Sequence, residues 1–299
     1  MDKVKARKVA NELPSGTQVL YGDYPEAGNY YSCAFHPDIV YATYGEVTRK
    51  LQIICPQQQD TTFPLVVFIQ GSAWRKQDIY ANISNLAHIA AKGYTVASVE
   101  IRETDLAPFP AALEDVKCAI RFMRKNKETY HVDTKRVAVW GDSSGGHLAL
   151  MTGLTMGEYT NDLYADESDN VNAVIDYYGV TDLLTLGKYN DILDHDADDA
   201  PEGLLISGSV KEYSEAAKKA SPLHQDLTRE LPPILIVHGD CDGVVHIHQS
   251  LEMYKALREN DQQAIFYKVI GADHGPGIWN AQVLDVTEKF LQAHLKKPI

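Results

Sequence analysis

Serine is a poor nucleophile until a base takes its proton, and the base works only when an acid fixes which ring nitrogen carries the hydrogen. A chain built for that chemistry should place a serine, a carboxylate and a histidine at the ends of structural elements. Gly141-Asp142-Ser143-Ser144-Gly145 has the first feature, with glycines two residues either side of Ser143, where a Cβ would crowd a tight turn. The apolar run Val137-Ala138-Val139-Trp140 before it suits a buried strand, and Leu148-Ala149-Leu150-Met151 after it suits a helix. That helix would aim free N–H groups back at Ser143, where they favour developing negative charge.

The turn resembles the nucleophile elbow of α/β-hydrolases, in which the partners follow in the order acid, then histidine. Ile234-Leu235-Ile236-Val237-His238 reads as a strand ending in Gly239-Asp240-Cys241-Asp242. Phe266-Tyr267-Lys268-Val269-Ile270 ends in Gly271-Ala272-Asp273-His274-Gly275. Each group therefore sits just past a strand's C-terminal end, where open α/β sheets put their ligands. Asp240 is nearer the strand and suits a turn brace, so Asp242 is the expected acid and His274 the expected base. His147, one turn into the helix after Ser143, reads as a packing residue. His238, His246 and His248 have a spacing that could suit a metal, but no fourth ligand is evident and no metal is expected. The oxyanion of a tetrahedral intermediate needs donors, for which the Ser144 N–H and the small-residue loop Gln70-Gly71-Ser72-Ala73-Trp74 are available.

These residues need a scaffold, and the pattern supplies one. A hairpin is expected over Ile39–Pro56, then strands at Phe63–Ile69, Tyr94–Ile101, Val137–Trp140, Val171–Tyr178, Ile234–His238 and Ala264–Ile270. Helices are expected between them at Ile79–Ala91 (stopped by Gly93), Ala111–Tyr130, after Ser143, at Ile247–Glu259 and at Ile278–Lys296. Alternation of this kind means a mostly parallel sheet with helices on both faces, an α/β fold. One domain spanning 1–299 is expected, with an N-terminal extension at 1–35 and a small cap insertion at about 181–221. Within that insertion the run Asp191–Asp199 is acidic but lacks the glycine and glutamate of an EF-hand, so it reads as a solvated surface.

The bulk numbers exclude several classes. A formal charge of −13 argues against a nucleic-acid surface, which needs clustered Lys and Arg. The four cysteines, Cys33, Cys55, Cys118 and Cys241, are far apart with no C-x-x-C pair and read as reduced thiols. The basic N-terminus is followed by no apolar core of a signal peptide, and no run approaches the ~20 apolar residues of a membrane span. A cytoplasmic protein without cofactor or membrane partner is expected, with a small-molecule substrate; a homo-oligomer is left open.

The chain resembles esterases of the α/β-hydrolase superfamily, near the hormone-sensitive-lipase-like and bacterial feruloyl-esterase-like branches. Those carry H-G-G-G-W where this chain has Gln70 to Trp74, and G-D-S-A-G-G-H-L-A where it has Gly141 to Ala149. They carry H-G-x-x-D-x-x-V-P at His238 to His246 and G-x-x-H-G at Gly271 to Gly275. The resemblance covers about residues 40 to 298. It implies an α/β-hydrolase fold, a catalytic triad of Ser143, Asp242 and His274, and oxyanion N–H groups from Ser72, Ala73 and Ser144. It implies a serine carboxylesterase working through an acyl-enzyme. Gln70 stands for the usual His, Ser72 and Ala73 for two glycines, and His246 for a proline, while the first 35 residues match nothing assignable. Because 181–221 lacks a long apolar face for an oil interface, short-acyl or hydroxycinnamoyl (feruloyl-type) esters are expected. Trp74, with Tyr177 or Tyr178, is expected either to line the acyl pocket, where it could stack on a flat acyl group, or to pack in the core. The competing readings are a small serine exopeptidase of prolyl-oligopeptidase type and a catalytically inactive binding protein on the same fold.

Overall fold

Apolar runs of five to seven residues such as Phe63–Ile69 cannot face water on either side, so they must lie inside a sheet covered on both faces. A computed structural model describes residues 30–58, 60–189, 194, 195, 197 and 199–295. The described residues from Tyr31 onward belong to one compact unit. Its strands in chain order are β1 (Cys33–Tyr44), β2 (Val47–Pro56), β3 (Phe63–Ile69), β4 (Thr95–Val99), β5 (Val132–Asp142), β6 (Ala173–Tyr177), β7 (Ile234–Gly239) and β8 (Ala264–Val269). The helices are α1 (Ile83–Ala91), α2 (Ala111–Lys125), α3 (Ser144–Leu154), α4 (Pro201–Ile206), α5 (Ser214–Lys219), α6 (His248–Glu259) and α7 (Ala281–Leu295).

The sheet order is β1-β2-β4-β3-β5-β6-β7-β8. β1, β2 and β4 pair antiparallel, and every pair from β4 to β8 is parallel. Leu86 and Ile89 of α1 join Leu284 and Leu291 of α7 in one core, against one face of the sheet. Leu113 and Ile120 of α2, Leu148 of α3 and Met253 of α6 join the core on the other face. Each such aliphatic side chain contributes about 1.5–3 kcal/mol on burial. After β3 the chain crosses one way to β4 and the other way to β5, so the strand order reverses beside β3. Ligands bind at such switch points, beyond the C-terminal ends of the strands. The loops carrying Gln70–Trp74 and Ser143 leave adjacent strands at this point.

The element boundaries differ from expectation in places where local chemistry outweighs hydrophobic periodicity. The hairpin begins at Cys33 rather than Ile39, so the last residues of the expected 1–35 extension belong to the sheet. Residues 79–82 form turns, and α1 starts at Ile83 after Asn82 in a left-handed conformation. α2 stops at Lys125 because the Asn126 side chain folds back to donate to the Phe122 carbonyl at 2.8 Å. Within 181–221 lie a short 3-10 helix (Leu186–Tyr189), α4 and α5. Asp191, Asp196 and Asp198 of the acidic run, and residues 1–29 of the extension, fall outside the described residues.

Candidate active site

β5 delivers the chain into a turn that only glycine can complete on either side. A Cβ on Gly141 would meet the backbone of Gly145, and one on Gly145 would meet the Ile69 carbonyl. Between them Ser143 takes φ 54° and ψ −124°, a conformation that costs a non-glycine residue about 1–3 kcal/mol. Its N–H donates to the Tyr177 carbonyl (2.8 Å) and its carbonyl accepts from His147 N–H (3.0 Å), so the strained turn is held at both ends. The side chain is left half-buried at the mouth of α3.

The structure brings Ser143, His274 and Asp242 together. His274 Nε2 lies 2.9 Å from Ser143 Oγ, and His274 Nδ1 lies 2.8 Å from Asp242 Oδ2. A carboxylate only accepts, so Nδ1 carries the hydrogen and the Nε2 lone pair faces the serine hydroxyl. Asp242 is buried, its Oδ1 accepting the N–H groups of Val244 (2.9 Å) and Val245 (2.8 Å). Burial alone would raise its pKa, but hydrogen bonds from His238 and His274 hold it well below the usual carboxylate range. Asp240 is instead a turn brace, its Oδ1 accepting Gly271 N–H at 2.6 Å. The Tyr178 ring packs edge-on against His274, with centroids 4.8 Å apart.

Three contacts from the serine turn hold the loop after β3. Gly71 N–H donates to Asp142 Oδ1 (2.9 Å), Ser72 N–H to Ser144 Oγ (2.9 Å), and Trp74 Nε1–H to His147 Nδ1 (3.0 Å). Ala73 and Trp74 are thereby kept at φ 54° and 53°. His147 is wholly buried; its Nδ1 accepts the indole proton, so its Nε2–H donates to the Ala220 carbonyl at 2.6 Å. Burial pulls its pKa down to about 4. The packing histidine is thus also a polar link between the loop and the end of α5. Asp142, pushed up by burial, accepts the Tyr178 hydroxyl at 3.1 Å as well, joining the loop to the residue behind His274.

Two expectations need correction. Ser72 N–H is already committed to Ser144 Oγ, where the motif quoted above has alanine, so it is not a free oxyanion donor. The N–H groups of Ala73 and Ser144 have no acceptor among the described residues and remain available. Trp74 is 1% exposed and stands perpendicular to His147, so it is a core residue and not a pocket wall. Tyr177, likewise buried, bonds to Thr287. Neither orientation was readable locally, because each depends on a partner more than seventy residues away.

His238, His246 and His248 do not converge. His238 is buried beneath Asp242, whereas His246 and His248 stack beside Tyr189, their Nδ1 atoms 2.9 Å apart. No cluster of three or more His, Cys, Asp or Glu that could hold a metal occurs among the described residues. Nor is any described helix long and apolar enough to cross a membrane.

A serine on a strained strand-to-helix turn, with acid and histidine following later strands of a mostly parallel sheet, defines an α/β-hydrolase fold. Residues 51–257 match the BD-FAE family, and the chain belongs to it. It is 30% identical over 224 residues to Esterase LipC of Mycobacterium tuberculosis, covering 71% of this chain and 53% of that protein. The chain spans about half the length of the curated relatives it matches. Two solved structures are similar over most of this chain. A truncated carbohydrate esterase from gut microbiota has a TM-score of 0.78 at 28% identity, over 90% of this chain and 98% of that one. A bifunctional GH43-CE protein of Bacteroides eggerthii has a TM-score of 0.80 at 30% identity, over 88% of this chain and 35% of that one.

Proposed function

We propose that this protein is a serine carboxylic ester hydrolase that takes short acyl groups. The observation that carries the reading is the continuous hydrogen-bonded line from Ser143 Oγ through His274 to buried Asp242. Ser143 Oγ attacks the ester carbonyl carbon while His274 Nε2 takes its proton. The carbonyl oxygen, now negative, accepts from the N–H groups of Ala73 and Ser144. Collapse breaks the bond to the alcohol oxygen, which leaves with the proton from His274, and the acyl group stays on Ser143. Water then attacks the acyl-enzyme with His274 again as base, and the acid is released. Removing one oxyanion donor of this kind typically costs ~10²–10³ in rate.

Esterase names among the relatives support this class, and the carbohydrate-esterase neighbour points to an acylated sugar as the alcohol side. The described cap supports a compact acyl group: α4 and α5 each have six residues, too short for the apolar lid an interfacial lipase opens. With Trp74, Tyr177 and Tyr178 all buried, the stacking argument for a hydroxycinnamoyl group loses all three of its residues. The test is kcat/KM across acetyl, butyryl, octanoyl and palmitoyl p-nitrophenyl esters, with methyl ferulate and an acetylated sugar alongside. A maximum at acetyl or butyryl is expected. A maximum at octanoyl or longer, or activation at the micelle threshold, would overturn the substrate reading.

A further inference from the structure

Asp242 has a second histidine. His238, at the end of β7, is completely buried, with Nε2 3.2 Å from the same Asp242 Oδ2 that receives His274. The same Nε2 is 2.8 Å from the Val245 carbonyl, and Nδ1 is 2.7 Å from Ser250 Oγ on α6. A carbonyl can only accept, so the hydrogen of His238 sits on Nε2, where it donates to Val245 and faces Asp242 Oδ2 at the longer distance of 3.2 Å, and Nδ1 accepts the Ser250 hydroxyl. We propose that His238 is a positioning residue for the reaction, holding the Asp242 carboxylate that in turn orients His274. This rests on the reading of Ser143, His274 and Asp242 as the catalytic triad.

The geometry gives His238 two jobs. Oδ1 of Asp242 is fixed by the Val244 and Val245 N–H groups, so rotation of the carboxylate is opposed only if Oδ2 is fixed too. His238 approaches Oδ2 from the floor of the site, while His274 approaches it from the loop after β8. The second donor also disperses negative charge on Oδ2. As His274 becomes an imidazolium during acylation, a carboxylate with two donors competes less for the shared proton, which stays on Nδ1. Asp142 faces His274 across Tyr178, Asp273 accepts the His274 main-chain N–H at 2.7 Å, and His246 and Tyr178, whose ring centroid lies 6.3 Å from that of His238, are further titratable groups near His238 and Asp242. None of these supplies a donor to Oδ2.

Two replacements separate positioning from mere filling of space. Gln at 238 can place an N–H near the position of Nε2, whereas Asn reaches only toward Nδ1 and Ser250. H238Q is expected to keep several-fold more kcat than H238N, with KM in both within about twofold of wild type. Losing the donor leaves more negative charge facing His274 and favours its protonated form. The acidic limb of the kcat/KM–pH profile should therefore move to higher pH in H238N, and less so in H238Q. Equal kcat and equal limbs in the two variants overturn the proposal. A second measurement needs no variant: the ¹⁵N spectrum of the histidine-labelled wild-type protein should show His238 protonated on Nε2 and bare on Nδ1. The opposite tautomer leaves no proton for Asp242 and also overturns it. Ser143→Ala keeps the two readings apart. If that variant retains esterase turnover the triad itself is wrong, whereas an inactive Ser143→Ala beside indistinguishable His238 variants rejects only the role of His238.

Discussion

Replacing Asp242 by Asn changes one atom and should nearly stop the reaction. The Asn oxygen can keep the Val244 and Val245 N–H groups that now bind Oδ1, which turns its NH₂ toward His274 Nδ1 and His238 Nε2. Two donors then face each other 2.8 Å apart, and the conflict at His274 is relieved by moving its hydrogen to Nε2. The nitrogen facing Ser143 becomes a donor with no lone pair, so the hydroxyl has no base. A wrongly protonated imidazole of this kind costs ~10⁴ in kcat, roughly 5 kcal/mol of barrier. KM should stay within about threefold, because Asp242 is buried and touches no substrate. The comparison is Asp240→Asn, which alters an exposed turn brace on Gly271 and should keep kcat within about twofold. Steady-state hydrolysis of p-nitrophenyl acetate by both variants, with melting curves to confirm folding, decides the matter. If Asp240→Asn shows the large loss and Asp242→Asn the small one, the derivation of the His274 tautomer is wrong.

Two further perturbations probe the groups behind the site. Asp176 is completely buried, with Oδ1 accepting Gly179 N–H at 2.8 Å and Oδ2 without a hydrogen-bond partner among the described residues; burial pushes its pKa up to about 7. A raised folded pKa favours the fold below the unfolded value near 3.8 and loses that contribution as pH rises toward 7, by roughly 4 kcal/mol in total. Asp176→Asn removes this slope, so its Tm should gain on the wild type between pH 4 and 7, whereas parallel Tm–pH curves would show that Asp176 is ionised throughout. His147, lowered to about 4, produces the opposite slope in both proteins and cancels in the comparison. Trp74→Phe strips the indole N–H from buried His147 Nδ1, which should cost about 1–3 kcal/mol and lower Tm by several degrees. It should also lower kcat by loosening the turn at Ala73, and an unchanged Tm would mean that the link carries no stability.

The parts of this molecule that are legible in its sequence are those set by neighbours in the chain. The strand before Ser143, the two glycines and the helix after it are contiguous in the chain, and each enforces the next. Asp242 and His274 are distant from Ser143, yet each sits just beyond an apolar strand, and parallel pairing brings strand ends to one edge. What the pattern does not carry is where side chains point once loops from different strands meet. Trp74 turns into the core because His147 offers a buried acceptor, and Ser72 N–H is lost to the oxyanion because Ser144 Oγ takes it. His238 reads as an apolar strand's last residue, and nothing local says that the loop after it folds back to lay Asp242 on its Nε2. The helix boundaries at 79–82 and 126–130 fail for a related reason, since apolar spacing continues through turns that Asn82 and Asn126 impose.

In the proposed reaction Ser143 attacks the substrate, a step that covalent capture can test. A fluorophosphonate carries a tetrahedral phosphorus that Ser143 Oγ attacks as His274 takes its proton; the P–F bond breaks, fluoride leaves and the phosphonyl label stays on the serine. Labelling should reach one equivalent per chain, map to the peptide containing Ser143, and proceed in step with loss of p-nitrophenyl acetate hydrolysis. Ser143→Ala should take up no label, and its turnover should fall below about a thousandth of wild type while its melting curve is unchanged. Label on any other residue, or a Ser143→Ala variant that keeps more than about a tenth of the turnover, would contradict the account.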